Sequence, residues 1–248
     1  TIPAVVEAKP DYMGLVFAPS KRQVTVDQAK TLVEELHKQY ANRYNRNAEQ
    51  YSNDVVQDGT IINALQEETA TGDAHEGTLT STENISPTLI HQEFIKTVGV
   101  FVNETLENLV TIAKEINLDA VQLHGDEDEA FIQSLKERTN VEVWKAVQIR
   151  SAADAEAWID SSADMLLFDA YHKDDRGGTG EVFDWSCLDE FERPFMLAGG
   201  IDSTNVARAI RTVRPYGIDI SSGIETEGVK DNEKIKAFTN IVRTIAMP

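Results

Sequence analysis

Short apolar runs that stop abruptly at small or polar residues recur along the chain, and helical spacing follows almost every one. Met13-Gly-Leu-Val-Phe17, Val98-Gly-Val-Phe-Val102, Ala120-Val-Gln-Leu-His124, Val141-Glu-Val-Trp-Lys-Ala-Val147, Met165-Leu-Leu-Phe168, Phe195-Met-Leu-Ala-Gly-Gly200 and Gly217-Ile-Asp-Ile-Ser-Ser-Gly223 read as strands. Runs this apolar suit strands buried on both faces, the habit of parallel sheets. Ala29, Leu32, Val33 and Leu36 mark one face of a helix that Thr25 or Asp27 can cap. Further helices are predicted over Leu106–Ile116, Ala130–Arg138, Ala152–Ile159 and Ile235–Ile245, with a short one opened by Phe183-Asp184-Trp185. Seven strands, each followed by a helix or helical pattern, predict a parallel α/β barrel. Ala4-Val-Val-Glu-Ala8 reads as the last turn of a helix, so the chain is expected to enter in the middle of a βα unit. The expected fold is therefore a (β/α)8 barrel present as seven units with its first strand missing.

The rhythm breaks between about residues 42 and 93, where Asn, Thr, Glu and Gly dominate and acidic residues from Glu49 to Glu93 outnumber Arg43 and Arg46. Val55–Glu68 could form a helix, and Thr69–Ser86 reads as a solvated loop. The stretch runs from a helix back to a strand, a connection that a barrel places on its N-terminal face, away from chemistry. Residues 1–248 are thus expected to form a single barrel domain carrying one acidic, polar insertion.

Charge and cysteine content narrow the partners. The formal charge is -19, with 23 basic against 42 acidic residues. That balance argues against nucleic acid or an anionic membrane, though a few cations and backbone amides can still hold a small anion. The one cysteine, Cys187, excludes an intrachain disulfide and fits a reducing, cytoplasmic setting. No apolar run approaches the ~20 residues of a membrane span, and no signal-peptide pattern stands at the front.

The candidate chemistry sits at strand ends, where a barrel keeps its working residues. Gly199-Gly200 and Ser221-Ser222-Gly223 form two turns one βα unit apart. Glycine lets backbone N–H groups approach an anion closely, and two such turns suit a phosphate. Asp169 follows four apolar residues, a setting that desolvates a carboxylate and suits a general acid; a helix cap or an internal ion pair is the plainer reading. His124 could act as a base, a donor or a structural residue. Arg22 could clamp a carboxylate in bidentate fashion or stand as a solvated loop arginine. Cys187 lies inside a helix and reads as packing.

Taken in order, Phe17-Ala-Pro-Ser-Lys-Arg22, Val98-Gly-Val-Phe-Val-Asn103, Val121-Gln-Leu-His-Gly125, Leu166-Leu-Phe-Asp169, Gly177-Gly-Thr-Gly180 with Phe183-Asp-Trp185, Leu197-Ala-Gly-Gly200 with Asn205-Val206, and Asp219-Ile-Ser-Ser-Gly-Ile-Glu225 with Gly228-Val-Lys-Asp231 closely resemble the phosphoribosylanthranilate isomerases of tryptophan biosynthesis. The resemblance runs from about Tyr12 to the end, apart from the insertion. It implies a (β/α)8 barrel that converts N-(5'-phosphoribosyl)anthranilate to 1-(o-carboxyphenylamino)-1-deoxyribulose 5-phosphate by an Amadori rearrangement without metal or cofactor. Asp169 would then be the general acid and Arg22 the partner of the anthranilate carboxylate. Gly199, Gly200, Ser222 and Gly223 would hold the phosphate, with His124 beside the substrate. Fusion with, or proximity to, other tryptophan-pathway enzymes stays open. The family's general base is a cysteine in a Lys-Ile/Val-Cys-Gly run, which these residues lack, so the chain as given is expected to be an impaired isomerase. Another phosphosugar isomerase or epimerase, or a non-catalytic phosphate-binding barrel, are the alternatives.

Overall fold

The computed structural model describes residues 1–57, 94–170 and 184–246. The loop expected over Thr69–Ser86, most of the helix expected from Val55, and Gly177–Gly180 lie outside these residues. The chain divides into two compact units, Thr1–Leu36 with Ile95–Pro248, and His37–Phe94.

The first unit is built on seven parallel strands in sequential order: β1 (Tyr12–Val16), β2 (Lys96–Phe101), β3 (Ala120–Leu123), β4 (Glu142–Ile149), β5 (Met165–Ala170), β6 (Phe195–Leu197) and β7 (Gly217–Ile218). Every adjacent pair is parallel. The helices are α1 (Ile2–Ala8), α2 (Val26–Gln57), α3 (Leu106–Ile116), α4 (Glu129–Arg138), α5 (Ala152–Glu156), α6 (Val206–Val213) and α7 (Asn232–Ala246). Local chemistry sets their starts. Thr25 and Gln28 cap α2 reciprocally, each backbone N–H meeting the other's side chain at 2.9 and 3.2 Å. Thr105 and Asp128 cap α3 and α4 through side-chain oxygens.

One face of the sheet packs under the helices. Phe101, Leu123, Phe168 and Leu197 meet Leu109, Ile132, Leu135 and Val206 there, each full burial contributing about 1.5–3 kcal/mol. On the other face Tyr12, Val98, Ala120, Trp144 and Met165 make a layer near the strand starts. Ala146, Leu167, Met196 and Ala198 make the next layer. Side chains alternate along a strand, so the same parity carries Gln122, His124, Gln148, Asp169 and Asp219 onto this second face toward the strand ends. The ladder continues past β3 and β7, with His124 N–H donating to Phe101 O at 2.8 Å and Asp219 N–H to Leu197 O at 2.9 Å.

Several boundaries differ from the sequence expectation. α2 runs on to Gln57 rather than ending near residue 41. No Gly or Pro stands between Val26 and Gln57, and extending a nucleated helix is far easier than starting one. β5 takes in Asp169 and Ala170, which pair with Gln148 and Ile149 of β4. The strand expected over Gly217–Gly223 stops after Ile218; Ser222–Ile224 turns as a 3₁₀ helix. A hairpin, β8 (Glu225–Thr226) with β9 (Val229–Lys230), then intervenes before α7. Its tight turn places Glu227 and Gly228 at positive φ, a conformation with no apolar periodicity to announce it.

Candidate active site

Asp169 stands on β5 with its side chain 6% exposed, and its Oδ2 lies 3.1 Å from His124 Nε2. His124 follows β3, and its Nδ1 lies 3.0 Å from Nε2 of Gln122, which is buried two residues earlier on the same face. An amide nitrogen only donates, so His124 Nδ1 accepts and Nε2 carries the ring proton toward Asp169. One oxygen of Asp169 is thereby engaged. The other faces the turn after β6, where a Cβ built on Gly199 would come within 2.6 Å of Asp169 Oδ1 and 2.4 Å of Ala170 N. Gly199 also has φ of +80°, so a side chain there is excluded twice over.

The turn after β6 is held by Asn205, which accepts from Asp202 N–H at 3.0 Å and donates to Gly200 O at 2.8 Å. Among the described residues the N–H groups of Gly199 and Gly200 donate to no backbone carbonyl. Successive amides at such a turn can serve an anion. The second glycine turn abuts the first: a Cβ on Gly223 would lie 2.1 Å from Ile201 O and 3.1 Å from Asp202 Cα. The structure therefore brings Asp169, His124, Gly199, Gly200 and Gly223 into one continuous set of contacts, with Ser222 beside Gly223.

Arg22 lies in the β1–α2 loop, and its guanidinium is already paired. Nε donates to Glu225 Oε1 at 2.6 Å and Nη2 to Glu225 Oε2 at 3.0 Å. It reaches the glycine turns only through the hairpin, where Lys230 Nζ lies 3.2 Å from Glu225 Oε1 and donates to Ser221 O at 2.8 Å. Burial works to raise the Glu225 carboxyl, but hydrogen bonds from Arg22 and Lys230 outweigh it and hold its pKa below the ordinary value.

Sequence reading passed over Asp219, Glu225, Lys230 and Gln122 as site residues. Parity would have found two of them: Asp219 stands two residues after Gly217, and Gln122 two before His124. Burial, and then the charge of Asp169, push the Asp219 carboxyl up, while His124 and Lys230 pull it down. That response places Asp219 in the same field as the Asp169–His124 pair. No periodicity marks Glu225, whose partner Arg22 comes from the far end of the chain.

Cys187 sits in the 3₁₀ turn Trp185–Leu188 opened by Asp184, and packs against the main core. A separate cleft of about 710 Å³ lies above α4 and α5, lined by His124, Glu127, Lys145, Gln148 and Trp158 among others. It touches the predicted site at His124 alone. Among the described residues, no cluster of His, Cys, Asp and Glu could hold a metal ion, and no helix is long and apolar enough to cross a membrane.

Seven parallel strands in sequential order with helices packed on one face define the architecture of an α/β-barrel enzyme. A model of the N-(5'phosphoribosyl)anthranilate (PRA) isomerase family matches residues 52–241. The N-(5'-phosphoribosyl)anthranilate isomerase of Thermoanaerobacter sp. (strain X514) is 38% identical over 241 residues, covering 96% of this chain and 90% of that protein. The enzyme of the same name from Endomicrobium trichonymphae is 45% identical over 151 residues, 61% of this chain and 74% of that one. Phosphoribosyl anthranilate isomerase from Thermotoga maritima superposes with a TM-score of 0.68 at 28% identity, over 97% of this chain and 92% of the other. A phosphoribosyl anthranilate isomerase solved with reduced 1-(o-carboxyphenylamino)-1-deoxyribulose 5-phosphate gives 0.64 at 27% identity, over 97% of this chain and 91% of the other. The chain belongs to the phosphoribosylanthranilate isomerase family, and its fold is that family's TIM barrel, represented in the described residues by seven strands.

Proposed function

We propose that the site at Asp169 isomerises N-(5'-phosphoribosyl)anthranilate to 1-(o-carboxyphenylamino)-1-deoxyribulose 5-phosphate, the Amadori step of tryptophan biosynthesis. The observation that carries this reading is the buried Asp169 carboxyl, with one oxygen engaged by His124 and the other turned to the Gly199 turn.

In this reading the phosphate sits on the amides of Gly199, Gly200, Ser222 and Gly223, and the outer edge of Arg22 takes the anthranilate carboxylate. Asp169 acts as the general acid through the oxygen away from His124, delivering a proton to the ribose ring oxygen as the C1'–O bond breaks. The anilino nitrogen supplies the electron pair and becomes an iminium. That positive charge acidifies the C2' proton; its transfer to a base gives an enolamine that tautomerises to the ketose. Because the family's Lys-Ile/Val-Cys-Gly run has no match in these residues, this is the step at which the chain as given is impaired. Ring opening breaks the C1'–O bond and the later steps move protons, so C1' is reduced as C2' is oxidised within the substrate and no external electron acceptor is needed. His124 keeps Asp169 oriented, and the Asp219 carboxyl, pushed up by burial and then by the charge of Asp169, limits the negative charge that gathers beside Asp169 once its proton has been given up.

Asp169→Asn in the full-length protein tests the assignment. Its amide keeps the shape and cannot supply the proton, so turnover is expected to fall about 10²–10⁴-fold while binding of the reduced product analogue survives. Turnover within twofold of the unaltered protein would remove Asp169 from its role.

A further inference from the structure

Arg22 meets a partner before any substrate arrives. Glu225 occupies the Nε–Nη2 edge of the guanidinium with two hydrogen bonds, the fork geometry in which arginine and carboxylate fit best. Its own side chain is 6% exposed, against 24% for Arg22. The carboxylate is thus the more buried member of the pair, and the guanidinium edge that Glu225 leaves unengaged is Nη1 with the second hydrogen of Nη2. Glu225 in turn cannot swing away. It stands opposite Lys230 in the β8–β9 register, Lys230 contacts its Oε1 at 3.2 Å, and its backbone carbonyl accepts from Lys234 at 2.7 Å. The Lys230 ammonium is fastened to Ser221 O at 2.8 Å, and burial lowers its pKa although Glu225 pulls the other way.

A solvent-held arginine loses side-chain entropy each time it binds an anion. One already fixed along one edge has lost that freedom on folding and presents its second edge in a set direction. We propose that Glu225 is a positioning residue that makes Arg22 selective for a planar carboxylate at the aromatic end of the substrate, by fixing which edge of the guanidinium is left to receive it. This rests on the reading of Arg22 as the carboxylate clamp and adds the residue that orients it.

The test uses calorimetric titration of the full-length protein with two probes: the reduced product analogue, and the same compound lacking the ring carboxylate. Arg22→Ala is expected to weaken the carboxylated probe about tenfold or more and the other one less than about twofold. Glu225→Gln, near-isosteric but uncharged, should show the same selectivity, and its effect should vanish when added to Arg22→Ala. Glu225→Asp keeps the charge and shortens the reach; it should give the same selective loss, and it replaces the first variant if that one melts early. Equal weakening of both probes by the Glu225 variants, or a loss that persists undiminished in the Arg22→Ala background, overturns the proposal and leaves the clamp standing. If Arg22→Ala itself fails to distinguish the probes, the clamp is misassigned and the role of Glu225 falls with it.

Discussion

Cys187 shows how a single side chain's setting decides its role. Burial raises its pKa, and the charge of Asp184 raises it further. A nucleophilic or basic cysteine needs the thiolate, which cations and helix N-termini favour and carboxylates oppose. The thiol belongs instead to the packing beneath α5 and α6, among residues such as Leu188 and Trp185. Cys187→Ser in the full-length protein is therefore expected to leave kcat within about twofold, with a stability loss of about 1 kcal/mol from placing a hydroxyl among apolar groups. A loss of kcat larger than tenfold at unchanged stability would mean that the thiol takes part in proton transfer after all. Asp169 illustrates the opposite case. Its sequence setting suggested desolvation, and the structure adds what no setting could give: the contact with His124, which follows β3, across the one intervening strand β4.

At the scale of elements, the two glycine turns are where a methyl group has consequences. A Cβ on Gly223 would meet Ile201 O at 2.1 Å, and although Ile220 Cδ1 at 3.0 Å can give way, the backbone of Ile201 and Asp202 cannot. Gly223→Ala is expected to push the two turns apart, costing about 1–3 kcal/mol of stability and raising the KM for the phosphorylated substrate by more than kcat falls. Gly14→Ala is the control, because nothing lies within 4 Å of its added Cβ; its denaturant midpoint and KM should stay at the starting values. Equal effects from both substitutions would show that the contact between the turns carries no phosphate site. The strands themselves were legible because near-continuous apolar runs are the mark of a doubly covered sheet, and residues such as Leu167 and Phe168 could hardly stand elsewhere. The ends of elements were less so. The β8–β9 hairpin is two residues per strand, too short for a period, and the continuation of α2 depended on the absence of a stop signal rather than the presence of a pattern. Arg22 and the glycine turns were visible as isolated features. Their connection through Glu225 and Lys230 was not, since a contact between a loop near the start of the chain and a hairpin near its end leaves no local trace.

For the whole molecule, acidification sets two opposed effects against each other, and the direction of each pKa shift fixes where they cross. With a formal charge of -19 at pH 7 and a pI near 4.6, lowering the pH first removes self-repulsion, which favours the compact state. Asp219 acts in the same sense. Its folded pKa is raised, so its contribution is full at pH below its ordinary value and is lost as pH rises through the folded one. Other carboxylates act the opposite way. In Glu142 and Glu225 burial alone would raise the pKa, but Lys96 and Trp144 in the first case, Arg22 and Lys230 in the second, leave it lowered. Glu129 goes furthest, to about 2: burial opposes, and hydrogen bonds with Ser162, Ser161 and Gln133 prevail. A depressed folded pKa means stability that is present above the ordinary value of 4.5 and is lost as pH falls through the folded one. The urea midpoint is therefore expected to hold or rise between pH 7 and about 5, then drop steeply toward pH 2, as the ties from Glu129 to the α5–β5 loop and from Glu142 to β2 are protonated away. Added salt should flatten the upper limb, where the charges are exposed and screened, and leave the lower limb nearly in place. A midpoint that instead declines steadily from pH 7 to 5 would mean that relief of self-repulsion is outweighed there by the loss of the carboxylate ties.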